Sequence, residues 1–399
     1  MQAPVAVQAP AAAPGVEDLA QATLPGATFH RWLADCRQRG PLTLTRYAGQ
    51  TAYLISGHSA LAAAFRDNPR FPPAEAYRRT IEPVQGLTFQ TMEDDEHRLY
   101  RRLATPAFRS TAVARMEVEG LAALARELLA QLPPGGGDFA HHFSHRYPFM
   151  VISRMLGIPL AREEAFRGWA SGFLAFTSDP QHAAQCARDI TDYLLPLLAE
   201  RRSQPQEDVI SALLHTDVDG QYLTDEEVLS HIRLLFTAGA STTVDALGNL
   251  LYLLLSQRER WQQLREQPAL RAGAIEEVLR LESPVAILPR VSAEQAVSFA
   301  GVEIPAGSFC LFAIAGANRD PAVFASPDHY DPTRDTSRTL LSFGPGPRLC
   351  PGMHLARRQL RVVLDTLLQE LPQLSLANEE AARPCGTVLR GPPVLPLRY

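Results

Sequence analysis

Cysteine is scarce in this chain. Five occur in 399 residues, at positions 36, 186, 310, 350 and 385. They lie far apart and no two make a CxxC pair, which argues against a disulfide scaffold or a zinc site and fits a reducing, cytoplasmic setting. An excess of positive charge is missing too. Lys and Arg number 38 against 43 Asp and Glu, a net charge of −5, so no wholesale attraction to nucleic acid or anionic membrane is implied. Met1 to Gly15 hold no positively charged side chain, and prolines interrupt every apolar run. A secretory signal or membrane anchor is therefore not expected there. A disordered Ala/Pro-rich tail over 1–15 is expected instead, followed by one domain over 16–399.

Charge is also nearly absent from Leu234 to Leu255, where Asp245 alone carries a formal charge. Such a run raises the question of a membrane span. Ser241, Thr242, Thr243, Asp245 and Asn249 make it too polar for mid-bilayer, so no span is expected. The 46% hydrophobic content is ample for a substantial core.

What stands out is a short stretch near the end, Phe343-Gly-Pro-Gly-Pro-Arg-Leu-Cys350-Pro-Gly352. From Met353 onward Ala356, Leu360, Val363, Leu364, Leu367 and Leu371 recur at helical spacing. Cys350 thus precedes a helix N-terminus, with Pro351 suited to the first helical position. Free N–H groups and the helix dipole favour thiolate there, and thiolate is the form that binds metal. At average residue frequencies of about 5%, a chance match to Phe-Gly-x-Gly-x-Arg-x-Cys-x-Gly is negligible. The stretch resembles the haem-binding loop of the cytochrome P-450 family, whose cysteine is the axial iron ligand. Arg348 then falls where the family pairs a His or Arg with a haem propionate. Phe343 falls where an aromatic packs near the sulfur, and Gly352 completes the loop.

Four further segments fit that resemblance in order. His97 and Arg101, spaced i, i+4, share one helix face, and the family uses such a pair to hold propionates. Thr224-Asp-Glu-Glu227 is a capping box, opening a helix that should reach about Gln257 and roughly 50 Å. Within it, Gly239 and the hydroxyls of Ser241, Thr242 and Thr243 should weaken and bend the helix. The resemblance puts Ala238 and Gly239 over the haem and gives Thr242 proton delivery. It also marks a departure, since Ser241 stands where the family has Asp or Glu. A relay of Ser241, Thr242 and water, helped by Asp245, is expected in its place. Glu277 and Arg280 share a helix face, and with Arg334 they match a trio that scaffolds the haem loop. Arg290 is expected to face a propionate.

The resemblance implies a mainly α fold with a small β region, the haem lying between a long central helix and the Cys-loop helix. It implies a haem-thiolate monooxygenase with haem b (iron protoporphyrin IX). A small hydrophobic substrate, O2 and a ferredoxin-type electron donor with its reductase complete the reaction. Leu87, Phe89, Phe173, Phe176, Leu235, Ala238, Val285, Ala286, Ile287 and Val388 are the candidate substrate pocket. A peroxide-driven enzyme and a non-turnover haem gas sensor are the alternatives. From local pattern alone, residues 42–55 read as a hairpin turning at Gly49 and Gln50, with Ser59 capping a helix from Ala60 to Asp67. Residues 68–92 read as a long loop, 111–206 as mostly helix, and 297–312 as one small sheet. His354, Arg357, Arg358 and Arg361 form a basic patch suited to an acidic electron donor.

Overall fold

The structure, a computed structural model, describes residues 10–15, 18–109, 111–158, 163–173, 176 and 179–399. Helices dominate, with a small β region. The chain forms two compact units. One comprises Met1–Pro73, Asp245–Cys350 and Ser375–Leu397, the other Ala74–Val244, Pro351–Leu374 and Arg398–Tyr399. No single cut in the chain separates them.

The first unit is built on a sheet ordered Ala11–Ala12, Leu42–Tyr47, Gln50–Ile55, Phe309–Phe312, Leu288–Val291. Leu42–Tyr47 and Gln50–Ile55 are antiparallel, with Tyr47 opposite Gln50. The turn is therefore Ala48-Gly49, one residue earlier than the sequence pattern suggested. Both residues have positive φ, 50° and 75°, a geometry that matches strand twist. The Asp18 carboxylate holds them there by accepting from both N–H groups, at 3.0 and 2.6 Å. Ala11 and Ala12 pair in parallel with Thr43 and Leu44. The expected tail over 1–15 is thus part of a sheet at 11–12, because edge pairing satisfies its backbone; residues 1–9 lie outside the described residues.

Residues 297–312 serve two sheets rather than one. Val297–Phe299 and Val302–Ile304 close on themselves through Ala300 and Gly301, whose φ values are 49° and 80°. Phe309–Phe312 instead joins the large sheet. Phe65, Phe71, Phe299 and Phe312 meet edge to face beside it, with centroids 5.0–5.5 Å apart, the arrangement aromatic quadrupoles favour. The helix expected from Ala60 runs His58–Ala64. Ser59 does not cap it. The carboxylate of Asp320 accepts from His58 N–H at 2.8 Å, a partner too distant in sequence to be foreseen.

The second unit is helical. Its long helix starts at the capping box, with Thr224 Oγ1 accepting from Glu227 N–H and the Glu227 carboxylate accepting from Thr224 N–H. It runs as Asp225–Leu234, a wider π-type stretch Leu235–Ala240, then Ser241–Leu255, of which the part from Asp245 onward counts with the first unit. A π-type stretch is a recognised marker of functional sites. Residues 68–92 are not one loop, since Glu75–Thr80 and Glu82–Gln85 are helical. Each opens with a glutamate, favourable at the positive end of a helix, and Glu93 accepts from Ala74 N–H at 2.6 Å. Pro133 to Gly137 and Pro180 interrupt the helices of this unit, the latter opening Pro180–Ser203.

Candidate functional site

In the first unit the cysteine loop is closed by Cys350 N–H, which donates to Phe343 C=O at 3.0 Å. Gly344 and Gly346 have φ of 64° and 102°, values that exclude most side chains. A Cβ on Gly346 would lie 2.9 Å from the Phe65 carbonyl oxygen, so the loop presses on that backbone. Cys350 is half-buried, while Cys36, Cys186 and Cys310 are buried. Burial pushes the Cys36 and Cys310 thiols up to about 11 and 12, which suits them to packing rather than ligation. The following helix begins at Met353, with Gly352 as its N-cap. Pro351 is therefore not in the first helical turn, because Gly352 takes the boundary position.

The scaffold trio is assembled as the sequence suggested. Arg280 forks onto Glu277 at 2.7 and 2.8 Å, and Arg334 Nε reaches the same carboxylate at 3.3 Å. Arg280 also donates to Asn318 C=O at 2.9 Å. Asn318 in turn accepts from Leu341 N–H at 3.0 Å and donates to Ser342 Oγ at 2.9 Å. Glu277 therefore reaches the start of the cysteine loop through Arg280 and Asn318. Asn318 was missed by sequence reasoning, and no local signal marks it.

Arg290 is buried, its guanidinium over the Phe312 ring at 5.9 Å. Val285, Ala286, Ile287 and Val388 are brought together. The Ala286 and Ile287 N–H groups both donate to Val388 C=O, at 2.9 and 3.4 Å. Ala286 and Ile287 are buried, whereas Val285 and Val388 are half-buried.

The second unit holds the rest of the candidates. His97 is buried and Arg101 half-buried. Phe89 joins them, its centroid 6.5 Å from the His97 ring and 5.8 Å from the Arg101 guanidinium. The same ring lies 5.5 Å from His231. Burial lowers His231 to about 4, so its ring is neutral at physiological pH. Its Nδ1–H donates to Glu227 C=O, and Nε2 accepts from Phe89 N–H at 3.4 Å.

Along the long helix, Thr237 and Ala240 are buried, yet Ala238 between them is exposed; Gly239, Ser241 and Thr242 are half-buried. Ala238 and Thr242, one turn apart, mark one open face. Thr242 and Thr243 donate to Ala238 and Gly239 C=O, both at 2.8 Å, and Ser241 donates to Thr237 C=O. These are the competing bonds expected of hydroxyls within a helix. Leu235 is buried, and Leu87 is exposed. Phe173 is fully buried with Ile81, Cys186 and Ala187, and Phe176 packs against the same cluster. His354 and Arg358 are exposed on the helix Met353–Glu370, while Arg361 is tied to Asp365 at 2.6 Å. Among the described residues, no helix is long and apolar enough to cross a membrane.

The sequence model of the cytochrome P450 family matches residues 172–384. The chain is 33% identical over 378 residues to the cytochrome P450 monooxygenase PikC of Streptomyces venezuelae, covering 92% of this chain and 90% of that one. It is 33% identical over 393 residues to 6-deoxyerythronolide B hydroxylase of Saccharopolyspora erythraea, covering 93% and 96%. The vitamin D(3) 25-hydroxylase of Pseudonocardia autotrophica is 33% identical over 376 residues, covering 91% of each. Among solved structures, ligand-free cytochrome P450 TbtJ1 superposes with a TM-score of 0.86 at 28% identity, covering 95% of this chain and 99% of that one.

Proposed function

This chain belongs to the cytochrome P450 family, and from that premise we propose that it oxidises a small hydrophobic organic molecule with electrons from a separate ferredoxin and its reductase. As a family member it is a monooxygenase, an oxidoreductase that incorporates oxygen from O2, with haem as its cofactor.

The residues present fit that group. Cys350 offers a half-buried sulfur on a loop held tight against Phe65. The groups proposed to meet the propionates are the guanidinium groups of Arg290 and Arg348 in the first unit and, in the second, Arg101 with the His97 ring as a hydrogen-bonding group. Ala238 and Gly239 leave a strip without side-chain bulk on the long helix, between buried Thr237 and Ala240. Cys350 would accordingly supply the thiolate that holds the iron, with Phe343 and Gly352 shaping its loop and Glu277, Arg280 and Arg334 fixing the scaffold behind it. Bound through a thiolate, haem supplies reductive activation of O2, the sulfur favouring O–O cleavage.

Thr242 Oγ1 spends its hydrogen on Ala238 C=O, which leaves its lone pairs to accept from water. Passing a proton onward requires the hydroxyl to turn away from that carbonyl. Ser241 is held in the same way and, unlike a carboxylate, cannot take up and release a proton near neutral pH but only relay one. Delivery therefore runs hydroxyl to hydroxyl through water. The apolar residues proposed to meet substrate are Val285, Ala286, Ile287 and Val388 in the first unit and, in the second, Leu87, Phe89, Phe176, Leu235 and Ala238, whereas Phe173 is fully occupied by its packing on Ile81, Cys186 and Ala187.

The observation that carries this reading is the half-buried sulfur of Cys350 on its glycine-strained loop. Adding carbon monoxide to the reduced protein should give the red-shifted Soret band of a thiolate ligand, and Cys350→Ser should abolish it. A myoglobin-like band in freshly prepared, folded protein would refute the assignment. Ser241→Asp should raise the fraction of NADH converted to product rather than peroxide; an unchanged fraction would remove Ser241 from the relay.

A further inference from the structure

We infer that Arg233 is a positioning residue that holds segment 85–91 closed against the long helix, so that substrate access in the function proposed above, on which this rests, depends on its release. Arg233 is 6% exposed. Its Nη1–H donates to Gln85 C=O at 2.8 Å and its Nη2–H to Thr191 Oγ1 at 2.8 Å. One fork thus ties two separate segments, 85–91 and the helix Pro180–Ser203, to the helix Asp225–Leu234. Its carboxylate partner Glu226, at 3.2 Å, is itself 68% exposed, so the charge is met by an anion from one side and by neutral oxygens from the others.

A second tie lies one turn on. Thr237 Oγ1 donates to Gln85 Oε1 at 2.9 Å, inside the π-type stretch and next to Ala238. Segment 85–91 is stitched within itself as well. Gln85 Nε2 donates to Thr88 Oγ1 at 3.2 Å, and Thr91 Oγ1 donates to Thr88 C=O at 3.1 Å, so the segment moves as a piece. Gly86, at φ 86°, lets it come close: a Cβ there would stand 2.2 Å from Ser230 Oγ and 3.2 Å from Arg233 Nη1.

The chemistry of these ties suits release. Leu87 is 49% exposed, so apolar burial contributes little at the tip of the segment. Phe89, buried beside His97 and His231, adds an apolar anchor further along, and the remaining hold is hydrogen bonding to a buried guanidinium, which water replaces when the segment lifts, the charge regaining its hydration. A contact of this kind opens locally without unfolding the core beneath it, the behaviour expected of a substrate-covering element.

Hydrogen–deuterium exchange on the haem-loaded protein tests this. Arg233→Met keeps the apolar stem and removes both donors; Thr237→Val is nearly isosteric and removes one. Peptides spanning 85–91 should exchange about tenfold faster in Arg233→Met and by a smaller factor in Thr237→Val, with the strands Leu42–Tyr47 and Gln50–Ile55 unchanged. Imidazole should bind the haem faster in the same order. Unchanged exchange at 85–91 in both variants, or faster exchange spread over the whole chain, would overturn the inference. Should Arg233→Met fail to fold, Thr237→Val alone decides by the same criteria. The carbon monoxide spectrum of the unmodified protein reports on the thiolate separately, so failure of either proposal is recognisable by itself.

Discussion

Asp245 shows how far a single residue's surroundings set its chemistry. Gly391 packs so closely that a Cβ there would lie 2.3 Å from Asp245 Oδ1. Burial raises the carboxyl from 3.8 to about 7. The folded state therefore holds its proton more tightly than the unfolded chain, and this group erodes stability as pH rises from about 4 to 7. Glu282 works in the opposite direction. Burial alone would raise it, but His30, Arg390 and Arg319 win and hold it near 2. His30 itself is lowered to about 4, by burial first and by Arg319 next. Both groups bind more protons unfolded than folded, so their contribution is complete above about pH 6.5 and is lost on acidification. Asp245→Asn should hence change stability least at about pH 4 and increase it at pH 8, by about 1 kcal/mol or more. Thermal unfolding midpoints at the two pH values check this, and an equal shift at both would refute it. The Glu277–Arg280 contact was legible, from its spacing on one helix face together with its place before the cysteine loop. The Glu282 partners were not, for His30 lies 252 residues away and nothing in either local sequence points to the other.

Elements divide along the same line. The capping box at Thr224 was readable because both halves lie within four residues. The cap of His58–Ala64 was not, since Asp320 supplies it. The weakened part of the long helix was foreseen from Gly239 and the three hydroxyls, although the π-type geometry of Leu235–Ala240 follows from how the backbone absorbs them. Gly346 combines φ 102° with backbone 2.9 Å from any added Cβ. Gly346→Ala should cost about 1–3 kcal/mol and speed haem transfer to apomyoglobin. Gly168 lies within the helix Glu163–Phe173, and an added Cβ there meets nothing within 4 Å. Gly168→Ala should stabilise by about 0.5–1 kcal/mol. Denaturant midpoints of both variants, together with transfer rates, decide. A neutral Gly346→Ala would mean that the loop tolerates a conformation its φ excludes for most residues.

For the molecule as a whole, the cysteine loop made the fold class readable, because so few folds use that sequence. The division into two interleaved units was not readable, since it depends on contacts between stretches far apart in the chain. One global feature is a matter of composition. No lysine occurs anywhere in the sequence, so all 38 basic side chains counted with it are arginines. Carbodiimide coupling joins carboxylates to amines and would find no lysine ε-amine here for the carboxylates of an acidic donor, so docking of the proposed electron donor on this basic patch is best followed kinetically. On the Cys-loop helix, Arg358 is exposed while Arg361 is engaged by Asp365. Charges at a rim act mainly on the rate of encounter. Arg358→Glu should therefore slow reduction by the donor roughly fivefold at low ionic strength, and the difference should shrink as salt brings the screening length to about 8 Å. Arg361→Gln should have a much smaller effect, because Asp365 already cancels its charge. Stopped-flow reduction across a salt series measures both. A salt-independent loss in Arg358→Glu, or equal losses in the two variants, would place the donor on another face.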